Sequence, residues 1–235
     1  MDIALRLAEI RGRLAEAARR AGREPSAVTL VAVSKFHPVA AIEAAYAAGQ
    51  RHFGENRVQE AEEKRRFLEP LIRVADPLRL ELIGALQSNK VRKAVSAVSR
   101  IQSIDSVAIA DRVGRVAAEM NLRMSVLVQV DLAGEATKAG VPEADVFKAL
   151  ESMRAVAGIR VDGLMAIPPF LNDPNDVRPY FSRLRALRDL ALERGLLEGA
   201  ELSMGMSHDF EAAIEEGATI VRVGTAIFGE RPAQA

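Results

Sequence analysis

Three short stretches, far apart in the chain, carry the residues best suited to chemistry. The first is Thr29-Leu30-Val31-Ala32-Val33-Ser34-Lys35, an apolar run of strand length bounded by Glu24-Pro25-Ser26 and His37-Pro38. Its terminal lysine either marks where the strand meets water or sits desolvated. Desolvation lowers a lysine's pKa toward the neutral amine that attacks a carbonyl to form a Schiff base. The second stretch is Met204-Gly205-Met206-Ser207 and the third Arg222-Val223-Gly224-Thr225. Each is a small-residue turn with a hydroxyl. Gly205 allows close backbone approach to an anion, and Ser207 stands where a helix starting near His208 would present its positive end. Glycines that only punctuate turns are the alternative for either turn alone. Alternation puts Arg222 on the face opposite Val221 and Val223, so in a buried strand it needs an acceptor, either a carboxylate or a ligand atom.

The surrounding sequence alternates regularly. An amphipathic helix is expected over 2–21, with Ile3, Leu7, Ile10, Leu14 and Ala17 on one face. Strands are expected at 29–34, 52–55, 80–84, 101–105, 125–131, 161–167, 201–204 and 219–224, with a helix in each interval. Ser88 is placed to cap one of those helices, and Pro70 and Pro77 bracket a loop. The 69–79 and 132–141 loops are the longest candidates for an active-site loop. Strict alternation implies parallel strands under helical cover, and eight of them match a closed barrel. An open doubly wound sheet is disfavoured because no Gly-x-Gly-x-x-Gly follows the first strand. The expectation is α/β: a single (β/α)8 TIM-type barrel domain over 1–235, with the N-terminal helix covering the seam. In such a barrel the strand ends gather at one rim, and phosphate commonly binds after the last two strands.

Composition removes several classes of function. The 32 basic and 32 acidic residues cancel, which leaves no footprint for nucleic acid or an anionic membrane. There is no cysteine, so disulfides, thiolate metal sites and cysteine catalysis are excluded, in keeping with a cytoplasmic setting. No membrane span or signal peptide is legible. His37, His52 and His208 lack metal-ligand spacing, and no metal is expected. Asp105 and Asp131 read as caps or rim solvation rather than an acid–base pair.

A lysine, a phosphate cradle and an arginine between them are all accounted for by pyridoxal 5′-phosphate, which carries an aldehyde, a phosphate and a ring nitrogen. A Schiff-base enzyme acting on a sugar phosphate would use the first two and leave Arg222 less well explained. The sequence also resembles a known family. Val33-Ser34-Lys35, His52-Phe53-Gly54-Glu55-Asn56 with Gln59-Glu60, Ile83-Gly84 with Leu86-Gln87-Ser88-Asn89-Lys90, Gly163-Leu164-Met165, Ser203-Met204-Gly205-Met206-Ser207 and Val221 to Gly229 resemble, in order, the pyridoxal phosphate homeostasis protein family. The resemblance implies a barrel like the amino-terminal domain of alanine racemase, without that enzyme's carboxyl-terminal β-domain. It implies Lys35 as the aldimine lysine, and Ser207, Gly224 and Thr225 on the phosphate, with Met204 and Gly205 in the same cradle. It implies Arg222 facing the pyridine nitrogen, and Asn56 and the Gln87-Ser88-Asn89 turn lining the mouth.

The role implied is to bind and deliver the cofactor with little or no catalysis, as a monomer or weak dimer, with PLP-dependent apo-enzymes as recipients. A PLP-dependent racemase-like enzyme is the alternative. It would need a second base opposite Lys35, and the only tyrosines, Tyr46 and Tyr180, do not fall at strand ends. Two departures stand out: many relatives have His-Phe-Ile-Gly-Pro where this chain has Glu81-Leu82-Ile83-Gly84-Ala85, and an acidic residue where it has His208.

Overall fold

The structure, a computed structural model, describes residues 2–134 and 139–230. It opens with α1 (Ile3–Arg20), which starts where the Asp2 carboxylate accepts the Ala4 amide at 3.2 Å. One face of α1 buries Leu7, Ile10, Leu14, Ala17 and Ala18, as the spacing requires. Then come β1 (Thr29–Val33), α2 (Val39–Ala47), β2 (His52–Glu55), α3 (Val58–Ile72), β3 (Arg79–Leu82), α4 (Val91–Ala97), β4 (Arg100–Ile104), α5 (Val107–Glu119) and β5 (Met124–Asp131). The chain continues through β6 (Val141–Pro142), α6 (Val146–Arg154), β7 (Ile159–Met165), α7 (Arg178–Glu193), β8 (Glu201–Ser203), α8 (Phe210–Glu215), β9 (Ile220–Val223) and α9 (Thr225–Phe228).

Eight parallel strands run in the order β4-β3-β2-β1-β9-β8-β7-β5, and β4 pairs with β5 to close the ring. This is the (β/α)8 barrel the alternation implies. The two-residue β6 adds to β5 outside the ring, at the end of the loop expected at 132–141; residues 135–138 of that loop lie outside the described residues. α1 packs on α2, α8 and α9, over the seam between the first and last strands. α9 spans only four residues, so the leading helix does the covering.

Two local expectations need correction. Pro70, expected in a loop, sits in the last turn of α3. The amide bond it forfeits is on an exposed face, while Leu71 and Ile72 beyond it pack on the core and hold the turn together. Ser88 does not cap a helix: Ser88–Lys90 form a 3-10 turn, and α4 starts at Val91 without a side-chain cap.

The period-two alternation divides the barrel sharply. Leu30, Ala32, Phe53, Leu80, Leu82, Ile101, Val126, Leu202 and Val221 point outward into the apolar layer beneath the helices. Burying one such side chain contributes about 2 kcal/mol. Inside, Val31, Leu127, Met165 and Ile220 form a small apolar group. Around them stand buried polar side chains: Glu81, Gln102, Ser203 and Arg222.

Candidate functional site

At the exit of β1 the backbone turns sharply, and Phe36 adopts a left-handed φ of 66°. For a bulky residue that costs on the order of 1 kcal/mol and persists only where the surroundings impose it. The imposition is visible: the Phe36 amide donates to Glu60 Oε1 at 2.6 Å, and the His37 amide to the Ser34 carbonyl at 3.0 Å. Beneath the turn, Lys64 Nζ donates to the Ser34 carbonyl at 2.8 Å and to Glu55 and Glu60 at 2.7 Å each. Ser34 Oγ donates to Glu55 Oε1 at 2.6 Å. The backbone that carries Lys35 is therefore clamped from β2 and α3. Burial pushes the Glu55 carboxyl up to about 7 despite Lys64 and Ser34, and its Oε2 is buried with no hydrogen-bond partner among the described residues.

Across the rim, the ends of β8 and β9 complete a half-open cleft of about 160 Å3. It is lined by Val33, Lys35, His37, Met206, Ser207, Arg222, Gly224, Thr225 and Gly229. Five residues singled out in the sequence, Lys35, Ser207, Arg222, Gly224 and Thr225, thus meet in one place. The two turns are tied together, with the Gly224 amide donating to Ser207 Oγ at 3.3 Å. A Cβ at Gly224 would come within 3.3 Å of Val33, so the small residue keeps the β9 turn against β1.

Arg222 is 4% exposed. Its guanidinium donates to Ser203 Oγ and, at 2.9 Å, to the Ala166 carbonyl. Among the described residues no carboxylate forms an ion pair with it, so the structural ion pair expected as the plain alternative is not formed there. Burial lowers its pKa to about 10, with the field of Asp209 opposing, and it stays charged at neutral pH.

Other expected residues lie elsewhere. Met204 is fully buried in the outer apolar layer. Gly205 faces α8, not the cleft: at φ 88° its missing Cβ would sit 2.5 Å from Ala213. Asn56 lines a separate cavity with Arg57, Gln59, Ala85, Gln87 and Lys90. Ser88 is exposed and lines neither. The helix expected to start near His208 starts two residues later. α8 begins only at Phe210, and Asp209 Oδ1 takes the Met206 amide at 2.6 Å. Asp105 and Asp131 act locally as expected; Asp131 Oδ1 accepts the Ala133 and Gly134 amides at 3.0 Å each.

His37 belongs to the cleft and was not singled out in the sequence for it. It stacks on Phe228 with ring centroids 5.1 Å apart, and burial and the charge of Lys64 lower its pKa. Its position two residues past Lys35 was the available signal. His208 turns away, its Nε2 lying 3.1 Å from the Asn172 carbonyl and its ring beside Phe170.

Comparison with known proteins agrees with this geometry. Residues 5–232 match the family model for the alanine racemase N-terminal domain. The chain is 42% identical over 231 residues to the pyridoxal phosphate homeostasis protein of Aquifex aeolicus, covering 98% of this chain and 99% of the relative. It is 43% identical to that of Pseudomonas aeruginosa, covering 97% and 96%. Among solved structures, PipY of Synechococcus elongatus with PLP bound superimposes with a TM-score of 0.84 at 42% identity, covering 97% of this chain and all of that one. With a barrel, a rim cleft and near end-to-end similarity in accord, the chain belongs to the alanine racemase N-terminal domain family and, within it, to the pyridoxal phosphate homeostasis proteins.

Proposed function

We propose that this protein binds pyridoxal 5′-phosphate in the rim cleft and takes part in PLP homeostasis as a cytoplasmic carrier with little or no turnover. The observation that carries the reading is Arg222: a buried cation with a hydroxyl and a carbonyl for partners, facing the same cleft as Lys35. The residues present fit the cofactor. Lys35 supplies an amine for the aldehyde carbon, and Ser207 and Thr225 supply hydroxyls for the phosphate, on turns held close by Gly224. Bound there, the cofactor would supply an electrophilic carbonyl and a conjugated ring able to withdraw electrons.

The same residues argue against efficient catalysis. A guanidinium only donates, so Arg222 keeps a proton off the ring nitrogen it faces and weakens electron withdrawal. Racemisation also needs a second base opposite Lys35. Neither tyrosine lines the cleft: Tyr46 Oη donates to the Asp76 carbonyl, and Tyr180 packs on the core. His37 is the specific observation favouring the second reading, a weak racemase-like activity, because it is titratable and lines the cleft. PLP-dependent apo-enzymes are the recipients in this proposal.

The test is the visible spectrum of protein purified with PLP, before and after borohydride, alongside Lys35→Ala. A band abolished by reduction, with a mass adduct on Lys35 that the variant lacks, is expected. No band and no adduct in the wild type would overturn cofactor binding through Lys35. Racemisation of an amino acid at about 1 s⁻¹ or faster would overturn the carrier reading.

A further inference from the structure

Inside the barrel a hydrogen-bonded chain links five strands. His52 Nδ1 lies 2.6 Å from Glu81 Oε1, and Gln102 Nε2 donates to Glu81 Oε2 at 2.6 Å. Ser203 Oγ donates to Gln102 Oε1 at 2.5 Å, and Arg222 Nη1 donates to Ser203 Oγ. Glu81, Gln102 and Ser203 are essentially fully buried, so water cannot substitute for any link.

The direction of this chain is set at one end. An ionised carboxylate only accepts, so Gln102 must present its amide NH2 to Glu81 and its carbonyl to Ser203. The Ser203 proton is then committed to Gln102, and a lone pair is left for Arg222. With a neutral group at 81 the Gln102 amide is free to flip. Its NH2 would then face Ser203, whose proton loses its acceptor, so the hydroxyl is no longer held with a lone pair fixed toward Arg222. Burial opposes charge on Glu81, but the hydrogen bonds from His52 and Gln102 and the field of Arg100, 3.8 Å away, hold its carboxyl below the usual range.

We infer that Glu81 is a positioning residue for the cleft, its negative charge orienting Arg222 through Gln102 and Ser203. The inference rests on Arg222 facing bound PLP.

The experiment loads the full chain with PLP and reads the visible spectrum and the rate of cofactor release. The variants are Arg222→Gln, Ser203→Ala, Glu81→Gln and the exchange Glu81→Gln/Gln102→Glu. Arg222→Gln shifts the band and speeds release. Glu81→Gln and Ser203→Ala shift the band in the same direction, with release about tenfold faster, and add nothing further in an Arg222→Gln background. The exchange still offers Ser203 an acceptor and restores both readouts. Wild-type spectra in Glu81→Gln and Ser203→Ala, or an exchange that restores neither readout, would overturn the positioning role. If Glu81→Gln fails to fold, the exchange decides, since it keeps one buried carboxylate and leaves Ser203 and Arg222 in place. A silent Arg222→Gln would instead remove the premise that Arg222 contacts the cofactor, and the inference with it.

Discussion

Lys64 and Arg222 are both buried cations near the same rim, and the protein treats them in opposite ways. Lys64 meets two carboxylates and a backbone carbonyl, and clamps the turn that carries Lys35. Arg222 meets a hydroxyl and a carbonyl and lines the cleft. A buried charge with its counter-charge in place is a structural device, and removing one partner strands the other. A buried charge whose protein partners are neutral keeps its strongest interaction for a ligand. In the proposed function, the difference separates scaffold from site.

The largest effect that would test this contrast is on stability. Lys64→Met leaves Glu55 and Glu60 without their cation and is expected to cost about 3 kcal/mol in urea unfolding at neutral pH. Arg222→Met, in cofactor-free protein, strands no carboxylate and is expected to change stability by less than about 1 kcal/mol. Equal losses from the two substitutions would erase the contrast.

A further effect is a pH dependence from Glu55. Its carboxyl is raised to about 7 in the folded chain from an ordinary 4.5, so between those values the folded state holds a proton that the unfolded state has lost. The stability this contributes is fully present below pH 4.5 and is lost as pH rises through 7. Unfolding of wild type and Glu55→Gln at a series of pH values isolates it, because the variant removes this slope and leaves the other groups in place. Parallel curves would show that Glu55 is not raised.

Much of the site was legible before folding, and the reasons are local. Lys35 ends an apolar run of strand length and composition, and Arg222 lies in a strand of valines, so both were marked by contrast with their neighbours. Ser207, Gly224 and Thr225 were found because barrel topology puts the last two turns side by side. Met204 and Gly205 do not line the cleft, because β8 ends at Ser203 and the turn beyond it packs on α8. Asn56 and Ser88 share the rim but not the cleft, a matter of distance around the ring that sequence order does not express.

The sequence alone determined the strand–helix alternation, the closure it implies and which faces are apolar, because these follow from periods of two and 3.6 residues along one chain. Only the tertiary structure decided that Lys64 serves Glu55 and Glu60, and that Glu81 reaches Arg222 through Gln102 and Ser203. Those partners come from strands and helices brought together by register and ring closure. A carboxylate's effect depends on what lies within a few ångströms, not on what lies beside it in the chain.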